Sequence, residues 1–312
     1  MSMPGSTSGK MPSPPATKMN RKSGRTAILK TYKLFIGGKF PRTESGRYLN
    51  LCHPRSGKHL ASYCQASRKD LRDAVVAARK AQPGWAAMSP YLRGQILYRI
   101  AEMLEGRAAS VATEISECSG TSALSARSEI SATIDRILYY AGWADKYSQV
   151  FGSTNPVSSS HFNFSNHEPT GVVAAICPDK PALLALATIM VPIILSGNSV
   201  IVLASEKFPL PAITLSEVIA TSDVPGGVVN ILSGNRDELA VHFAKHMDIN
   251  AIIDGSGDNE IAATLKKGSS TNLKRIAVRK LRDGEWSGKK GQNPYFILDS
   301  AELKTIWHPV GT

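Results

Sequence analysis

The second half of the chain alternates short apolar runs with segments of helical length. The apolar runs predict strands over 171–176, 199–203, 228–232, 250–253 and 273–278. The segments between them predict helices over 182–195, 210–221, 236–245 and 258–267. Strands that alternate with helices indicate βαβ units and a parallel sheet. Ligands bind such sheets at the carboxyl ends of the strands, so we expect the loops 177–181, 204–209, 233–236 and 254–257 to form the binding edge.

The first half favours helices. Ser67 and Asp70 have the spacing of a capping box, and Pro90 suits the first turn of a second helix. Two further helices are predicted over 108–118 and 122–148. Upstream of them, the runs "KLFIGGKF" and "GRYLNL" predict two short strands of a small antiparallel piece.

One stretch departs from both patterns. The sequence "QVFGSTNPVSSSHFNFSNHEPTG" alternates polar and apolar positions around a Ser-rich turn, with Phe162 and Phe164 on one side. This pattern predicts a two-stranded excursion from the main domain. Two isolated strands are only marginally stable in water, so we expect the excursion to lie on another surface.

Composition limits the class of protein. The chain has 312 residues, 42% of them hydrophobic, and a net charge of +12, which favours a globular protein. Residues 1–30 have the composition of a disordered basic tail, for which a solvated extension is favoured over a nucleic-acid contact. We find no secretory signal and no membrane span, and therefore expect a cytoplasmic protein. The four cysteines lack C-x-x-C spacing and are expected to be reduced.

Several motifs together resemble a known family. They include "LFIGGKF", "DAVVAARKAQPGW", "EPTGVVAAICP", "SGNSVIVLASE", "VPGGVVNILSG" and "LKRI". From about Lys33 to Leu303 the chain resembles the N-terminal, NAD-binding part of an aldehyde dehydrogenase. The resemblance implies an α/β fold with a Rossmann-like parallel sheet, helices on both faces, an N-terminal helical segment and a protruding oligomerisation hairpin. It divides the chain into the tail 1–30, a NAD-binding-like domain over 31–146 and 168–312, and the hairpin 147–167.

The cofactor positions of the family are only partly kept. In the family motif G-x-x-x-x-I-x-P-W-N-F-P, Asp179 matches the Trp, and Lys180 matches the Asn that helps to hold the reacting carbonyl oxygen. In K-P-S-E, Leu203 matches the ribose-binding Lys, while Glu206 keeps the acid. Pro178 and Glu206 remain as cofactor contacts, so the resemblance implies weak or absent NAD binding. Asp179 and Lys180 themselves are expected to form a solvated ion pair.

The catalytic positions of the family are not kept. Arg279 matches the Glu of E-L-G-G, the general base, and a cation cannot accept a proton. The chain ends at "LKTIWHPVGT", where we expect the family's catalytic domain with its nucleophilic Cys to be absent. Cys177 is a candidate substitute nucleophile, but a packing role is favoured. No catalytic residue is therefore assigned, and His242 and His246 lack a third ligand for a metal site.

Three functions remain open. The first is a truncated aldehyde-dehydrogenase-like pseudoenzyme, a structural or regulatory subunit that assembles with a complete aldehyde dehydrogenase or with itself. It resembles the degenerate second repeat of the two-repeat aldehyde dehydrogenases. The second is a nucleotide-binding sensor without catalysis, and the third is an NAD(P)-dependent aldehyde oxidoreductase with atypical residues. For the first, we expect Phe162 and Phe164 to lie in the interface and apolar surface to be left open for a partner. Neither nucleic acid nor membrane is expected as a partner.

A polar insertion follows the last predicted strand. The sequence "RKLRDGEWSGKKGQNP" carries several cations around Glu285 and Trp286. Its polarity predicts a flexible loop in water.

Overall fold

The structure is a computed structural model that describes residues 29–311. In chain order its strands are β1 (Thr31–Tyr32), β2 (Tyr48–Cys52), β3 (His59–Cys64), β4 (Ser153–Asn155), β5 (His161–Pro169), β6 (Val172–Ile176), β7 (Ser199–Leu203), β8 (Val229–Leu232), β9 (Ala251–Asp254), β10 (Arg275–Val278) and β11 (Ala301–Pro309). Its α-helices are α1 (Arg68–Ala87), α2 (Pro90–Glu105), α3 (Ala108–Ser119), α4 (Ala123–Ala141), α5 (Tyr147–Phe151), α6 (Ala182–Leu195), α7 (Leu210–Ile219), α8 (Arg236–Lys245) and α9 (Asn259–Ser269). Residues 1–28 of the predicted tail lie outside the described part.

Five strands form the central parallel sheet in the order β10-β9-β6-β7-β8. Every residue of β6, β7, β8 and β9 is buried. Such continuous burial is typical of a parallel sheet covered by helices on both faces. The predicted alternation of strands and helices is confirmed, and α6, β7 and α8 begin and end at the predicted residues.

The side chains of the central strands divide the core into two layers. Val173 and Ala175 of β6 pack in the layer that contains α2, α4 and α6. Val172 and Ala174 pack in the layer that contains α1, α8 and α9. Successive residues of a strand point to opposite faces, so each strand contributes to both layers. The predicted doubly covered sheet is confirmed.

Helix α6 is buried on all sides. Its sequence "ALLALATIMVPIIL" contains no charged residue, and all fourteen of its residues are buried. It contacts α4, β7 and the 3-10 helix Pro294–Ser300. A helix that is apolar all round is stable only inside a core. Within the described chain, the surface of α6 is therefore already covered.

The insertion around Trp286 supplies part of that cover, so the predicted flexible loop is wrong. Trp286 is fully buried in the same layer as α6. The buried guanidinium of Arg136 donates to the carbonyl oxygens of Trp286, at 2.9 Å, and of Gly291. Glu285 stays at the surface and pairs with Lys290. Local polarity predicted solvent exposure, but one large aromatic side chain and its backbone partners determine the position of the segment.

The N-terminal strands differ from the prediction in part. The predicted strand in "KLFIGGKF" is a tight turn in which Ile36 pairs with Lys39, and Gly37 and Gly38 adopt φ of 61° and 77°. A Cβ at Gly38 would lie 2.9 Å from the Cα of Gly226, so the backbones approach too closely for a side chain. The small sheet instead has the order β1-β3-β2, and β3 was not predicted.

A second small sheet lies apart from the central one, in the order β11-β5-β4. In the predicted hairpin, β4 pairs with β5 over three residues, Ser153 to Asn155. The main partner of β5 is the unpredicted strand β11, which pairs with it antiparallel over nine residues. The excursion is thus a three-stranded sheet whose longest pairing joins distant parts of the chain.

The helices and the cysteines also bear on the expectations for membrane spans and disulfides. In residues 29–311, no helix has the length and apolar character to cross a lipid bilayer. The four cysteines are free thiols, as predicted, and only Cys52 is exposed.

Candidate functional site

The candidate site is the carboxyl edge of the central sheet. The sheet order places its switch point between β6 and β9, because the chain winds outward from β6 to β8 and then returns to β9 and β10. Ligands of doubly wound sheets bind in the crevice at this point. The loops after β6, β7, β8 and β9 carry Pro178 to Lys180, Glu206, Arg236 and Gly255 respectively.

Asp179 pairs with Arg236, not with Lys180, so the predicted solvated pair is wrong. The Arg236 guanidinium donates to the carboxylate at 2.6 Å, and the two side chains are only 12% and 22% exposed. The Ser205 hydroxyl and the Lys207 N–H also donate to it, at 3.2 and 3.3 Å. Burial alone would raise the pKa of Asp179, but the Arg236 charge and these hydrogen bonds outweigh burial and hold that pKa below its usual value.

Lys180 is exposed at the mouth of the edge. Its ammonium lies 5.2 Å from the centroid of the Phe208 ring, within the range of a cation–π contact. The side chains of Asp179 and Lys180 point in different directions, because Asp179 turns inward to Arg236. Lys180 is thus free of the predicted partner and lies on an aromatic face.

Glu206, the predicted cofactor residue, is engaged by the start of α8. Its carboxylate accepts a hydrogen bond from the Asn235 amide at 3.0 Å and another from the Arg236 N–H at 3.1 Å. A carboxylate is favoured at this position because a helix N-terminus carries a partial positive charge. Leu203, at the end of β7, is fully buried and has no donor to offer a ribose. The acceptor that the family resemblance assigns to the cofactor is therefore bound within the chain.

Other helix starts along this edge are also capped by carboxylates. Glu129 of α4 accepts hydrogen bonds from the N–H groups of Leu183 and Leu184 at the start of α6, at 2.8 and 3.3 Å. Burial raises the pKa of Glu129, and the two hydrogen bonds and Lys180 oppose that rise. Asp258 caps α9 in the same way, at 2.7 Å to the Glu260 N–H. Helix N-termini are the usual seats of nucleotide phosphates, and here internal carboxylates occupy them.

Side chains and backbone pack closely at the switch point. Cys177, Pro178, Asp254 and Gly255 are buried where β6 and β9 end. A Cβ at Gly255 would lie 2.6 Å from the Ile189 side chain and 3.2 Å from the Ile176 carbonyl oxygen. The concave space beside Lys180, Glu129 and Phe208 measures about 210 Å³, smaller than the ~300–1,000 Å³ typical of ligand pockets.

Cys177 has the properties of a packing residue. Its thiol is fully buried, and burial raises its pKa to about 12 against a smaller lowering by Arg236. A nucleophilic cysteine needs an accessible thiolate. The packing role favoured from the sequence agrees with this burial.

Arg279 lies at the end of β10 and is held by a structural network. It is 5% exposed and donates to the Asp299 carboxylate at 2.9 Å. Its guanidinium lies 3.9 Å from the centroid of the Phe296 ring and donates to the carbonyl oxygen of Thr188 at 3.3 Å. These contacts join Arg279 to the 3-10 helix Pro294–Ser300, which covers α6.

Phe162 and Phe164 lie on one face of the small sheet, as predicted. Their ring centroids are 5.5 Å apart, and Phe162 is 48% exposed. Across the strand pair, Phe164 is opposite Ile306 of β11, which extends the apolar face. Contact with another subunit stays a prediction.

The site residues that the sequence missed are Arg236 and Glu129. Each is a charged residue whose partner lies far along the chain: Arg236 binds Asp179, and Glu129 binds the start of α6. The only local signal was Asn235, a favourable N-cap that placed Arg236 at a helix start on the binding edge. No group of three or more His, Cys, Asp or Glu able to hold a metal occurs in residues 29–311.

Comparison with known proteins agrees with the fold. A model of the aldehyde dehydrogenase family matches residues 40–308. The chain is similar to retinal dehydrogenase 2 of Mus musculus, 32% identical over 280 residues that cover 88% of this chain and 52% of that protein. It is 31% identical to an aldehyde dehydrogenase of Aspergillus niger over 272 residues, which are 86% and 52% of the two chains.

A solved structure agrees with this similarity. The NAD+ complex of an aldehyde dehydrogenase from Bacillus cereus has a TM-score of 0.76 and 27% identity, over 80% of this chain and 50% of that one. The chain thus spans about half the length of the curated relatives it matches.

Proposed function

The chain belongs to the aldehyde dehydrogenase family, and we propose that it is a member without catalysis of its own, a structural or regulatory subunit that assembles with a complete aldehyde dehydrogenase. The observation that carries the proposal is the closed polar network at the carboxyl edge. Asp179 is bound by Arg236, and Glu206 by Asn235 and the start of α8. A dinucleotide would have to break these contacts before it could use the edge.

The residues at this edge do not fit NAD well. Leu203 is buried and apolar, Glu206 is already hydrogen-bonded, and the backbone at Gly255 packs against Ile189 and Ile176. Each lost or displaced hydrogen bond to a ligand costs about 1 kcal/mol. We therefore propose weak or absent NAD binding, although a structural neighbour from Bacillus cereus is an NAD+ complex.

The positions that resemble the family's catalytic residues support the same proposal. Lys180 lies where the resemblance places the Asn that holds the reacting carbonyl oxygen. Arg279 lies where it places the general base, and its guanidinium is committed to Asp299. Neither side chain has the chemistry of the residue it replaces.

The small sheet supports assembly with another subunit. In the described chain β11 pairs only with β5, so the other edge of this nine-residue strand is open. Leu303 and Trp307 on β11 are 58% and 57% exposed, and Phe162 on β5 is 48% exposed. An open edge with exposed apolar side chains favours pairing with another sheet. We propose a complete aldehyde dehydrogenase subunit, or a second copy, as the partner.

A nucleotide-binding sensor is the second candidate, and one observation favours it. Glu206 retains a carboxylate where the family resemblance places a ribose contact, and its present partners belong to one loop. An active oxidoreductase is the least favoured, because the Cys177 thiol is buried with a raised pKa, and Arg279, at the matched general-base position, is a cation bound to Asp299.

Two experiments test the proposal. The purified chain is assayed for NADH or NADPH formation from aldehydes, and we expect no rate; a rate that disappears in Cys177→Ser would contradict the assignment. Light scattering then gives the mass of the wild type and of Phe162→Ser/Phe164→Ser, alone and with a complete homologue. Tyr91→Ser/Tyr98→Ser on α2 is the control, since these tyrosines are 66% and 57% exposed and do not belong to the small sheet. We expect only the Phe pair to reduce the mass, and an unchanged assembly would refute the interface.

A further inference from the structure

A basic cleft lies between the start of α1 and the second half of α8, away from the carboxyl-edge network. Its volume is about 670 Å³. Its polar lining has cations and histidines and no carboxylate: Arg68, Lys69, Arg72, His242, Lys245 and His246. Arg68 and Arg72 are four residues apart and therefore share one face of α1, while His242 lies on α8 and His246 directly follows its last residue.

Part of this positive charge is unpaired. Lys69 pairs with Glu44, and Arg72 with the adjacent Asp73, both at the exposed rim. Arg68 and Lys245 make no ion pair with any residue of the described chain. Two helices thus hold unneutralised cations on opposite sides of one concave space.

Burial and neighbouring cations lower the pKa values of both histidines. Burial lowers the pKa of His242, as do Arg68 and Lys245, while Glu238 opposes them. Burial also lowers the pKa of His246, with contributions from Lys274, Arg68 and Arg79 against Asp248. Both rings are therefore disfavoured as cations until a negative charge enters the cleft.

We propose that this cleft binds a compact anion with two or more phosphate groups, held between Arg68 on α1 and Lys245 on α8. The volume lies within the ~300–1,000 Å³ of small-molecule sites. Guanidinium groups bind phosphate through paired hydrogen bonds, and lysine binds it as a point charge. Because unpaired cations lie on both helices, an anion that carries more than one phosphate is favoured over a single phosphate.

The histidines give this binding a pH dependence. An anion in the cleft raises the pKa of both rings, so that binding takes up protons as the pH falls toward their ordinary value of 6.5. The groups that face them are Arg68, Arg79, Glu238, Lys245, Asp248 and Lys274, as described above. The proton uptake should disappear in His242→Gln/His246→Gln.

Calorimetry with inorganic tripolyphosphate tests the proposal on the full chain. We expect saturable binding that weakens about tenfold or more in Arg68→Gln/Lys245→Gln, because two charge-assisted contacts are lost. The matched control is Lys266→Gln/Lys267→Gln, which removes the same charge from exposed positions of α9. An equal loss in both variants, or no binding by the wild type, would overturn the site.

Two further arms identify the source of the phosphates and the role of the histidines. Vesicles that contain a phosphoinositide bisphosphate replace the soluble anion; binding that depends on Arg68 and Lys245 indicates a headgroup source in addition to a free one. Vesicle binding without tripolyphosphate binding would contradict the compact-anion site. Equal proton uptake by the wild type and the double His variant, measured in two buffers, would contradict the charge coupling in the cleft.

Discussion

Replacing Arg236 with Met tests whether the Asp179–Arg236 pair holds the carboxyl edge closed. The variant keeps the aliphatic length of the side chain but removes the donor 2.6 Å from the carboxylate. Asp179, 22% exposed in the wild type, would keep the Ser205 hydroxyl and Lys207 N–H as donors and the exposed Lys207 ammonium, 3.7 Å away, as its remaining cation. A half-buried carboxylate that loses its closest and most buried cation is destabilising in the folded state.

The magnitude follows from the burial of the pair. Breaking a buried pair costs about 3–5 kcal/mol, and breaking an exposed one costs about 0–1 kcal/mol. The remaining exposure of Asp179 lowers the cost, as does removal of the Arg236 Nε, which is buried without a partner in the described chain. We expect a loss of about 2 kcal/mol in the free energy of unfolding at neutral pH, between those two limits.

The pH dependence has a defined sign. The pKa of Asp179 is lowered in the folded state, so the pair stabilises the fold above the ordinary value of 3.8, and this contribution is lost as the pH falls through the lowered pKa. In Arg236→Met, burial is opposed only by the remaining hydrogen bonds and by Lys207, so the pKa of Asp179 rises relative to the wild type. The difference between wild type and variant should therefore be largest at neutral pH and shrink as the pH falls toward and below about 4.

Urea unfolding followed by circular dichroism measures both effects. Arg47→Met is the control, because Arg47 binds Glu238 at a similar distance of 2.7 Å but the side chains are 42% and 36% exposed. We expect the control to cost less than about 1 kcal/mol. If Arg236→Met costs no more than Arg47→Met, or if its cost grows toward acid pH, the pair does not hold the edge.

Three other predictions follow from burial. Trp286→Ala should lower the free energy of unfolding by about 3–5 kcal/mol. In the same urea titration, Tyr295→Ala, at a residue 62% exposed, should change it by less than about 0.5 kcal/mol. Equal effects of the two variants would show that the insertion is a solvated loop. Under native conditions, mass spectrometry after alkylation should find Cys52 modified and Cys177 unmodified, because burial raises the Cys177 pKa to about 12, and comparable labelling would contradict the packing role. Glu129→Ala should lower the free energy of unfolding by about 1–2 kcal/mol, since two N–H groups of α6 lose their acceptor. A thermal unfolding midpoint equal to that of the wild type would show that the cap is dispensable.

The central sheet was predictable because its signals are local. Strands buried on both faces read as continuous apolar runs, and the capping box of Ser67 and Asp70 formed as its spacing indicated. The family resemblance added the Rossmann-like arrangement of these elements, which periodicity alone does not give.

The parts that the sequence did not predict depend on distant partners. Strand β11 has no apolar alternation strong enough to identify it, and its partner β5 lies well over a hundred residues earlier in the chain. Trp286 lies in a polar segment, and only the burial of α6 explains why it turns inward. Asp179 has the cation Lys180 next to it in sequence, but its buried ion pair is with Arg236. Sequence spacing reports neighbours along one element and carries no signal for such tertiary pairs.

The most direct test of the account is a calorimetric titration of the purified chain with NAD. The closed network at Asp179, Arg236 and Glu206 predicts no saturable binding up to about millimolar NAD, which corresponds to less than about 4 kcal/mol of binding free energy. Dissociation in the micromolar range that is lost in Glu206→Ala would show that the edge opens to the cofactor and would contradict the proposal.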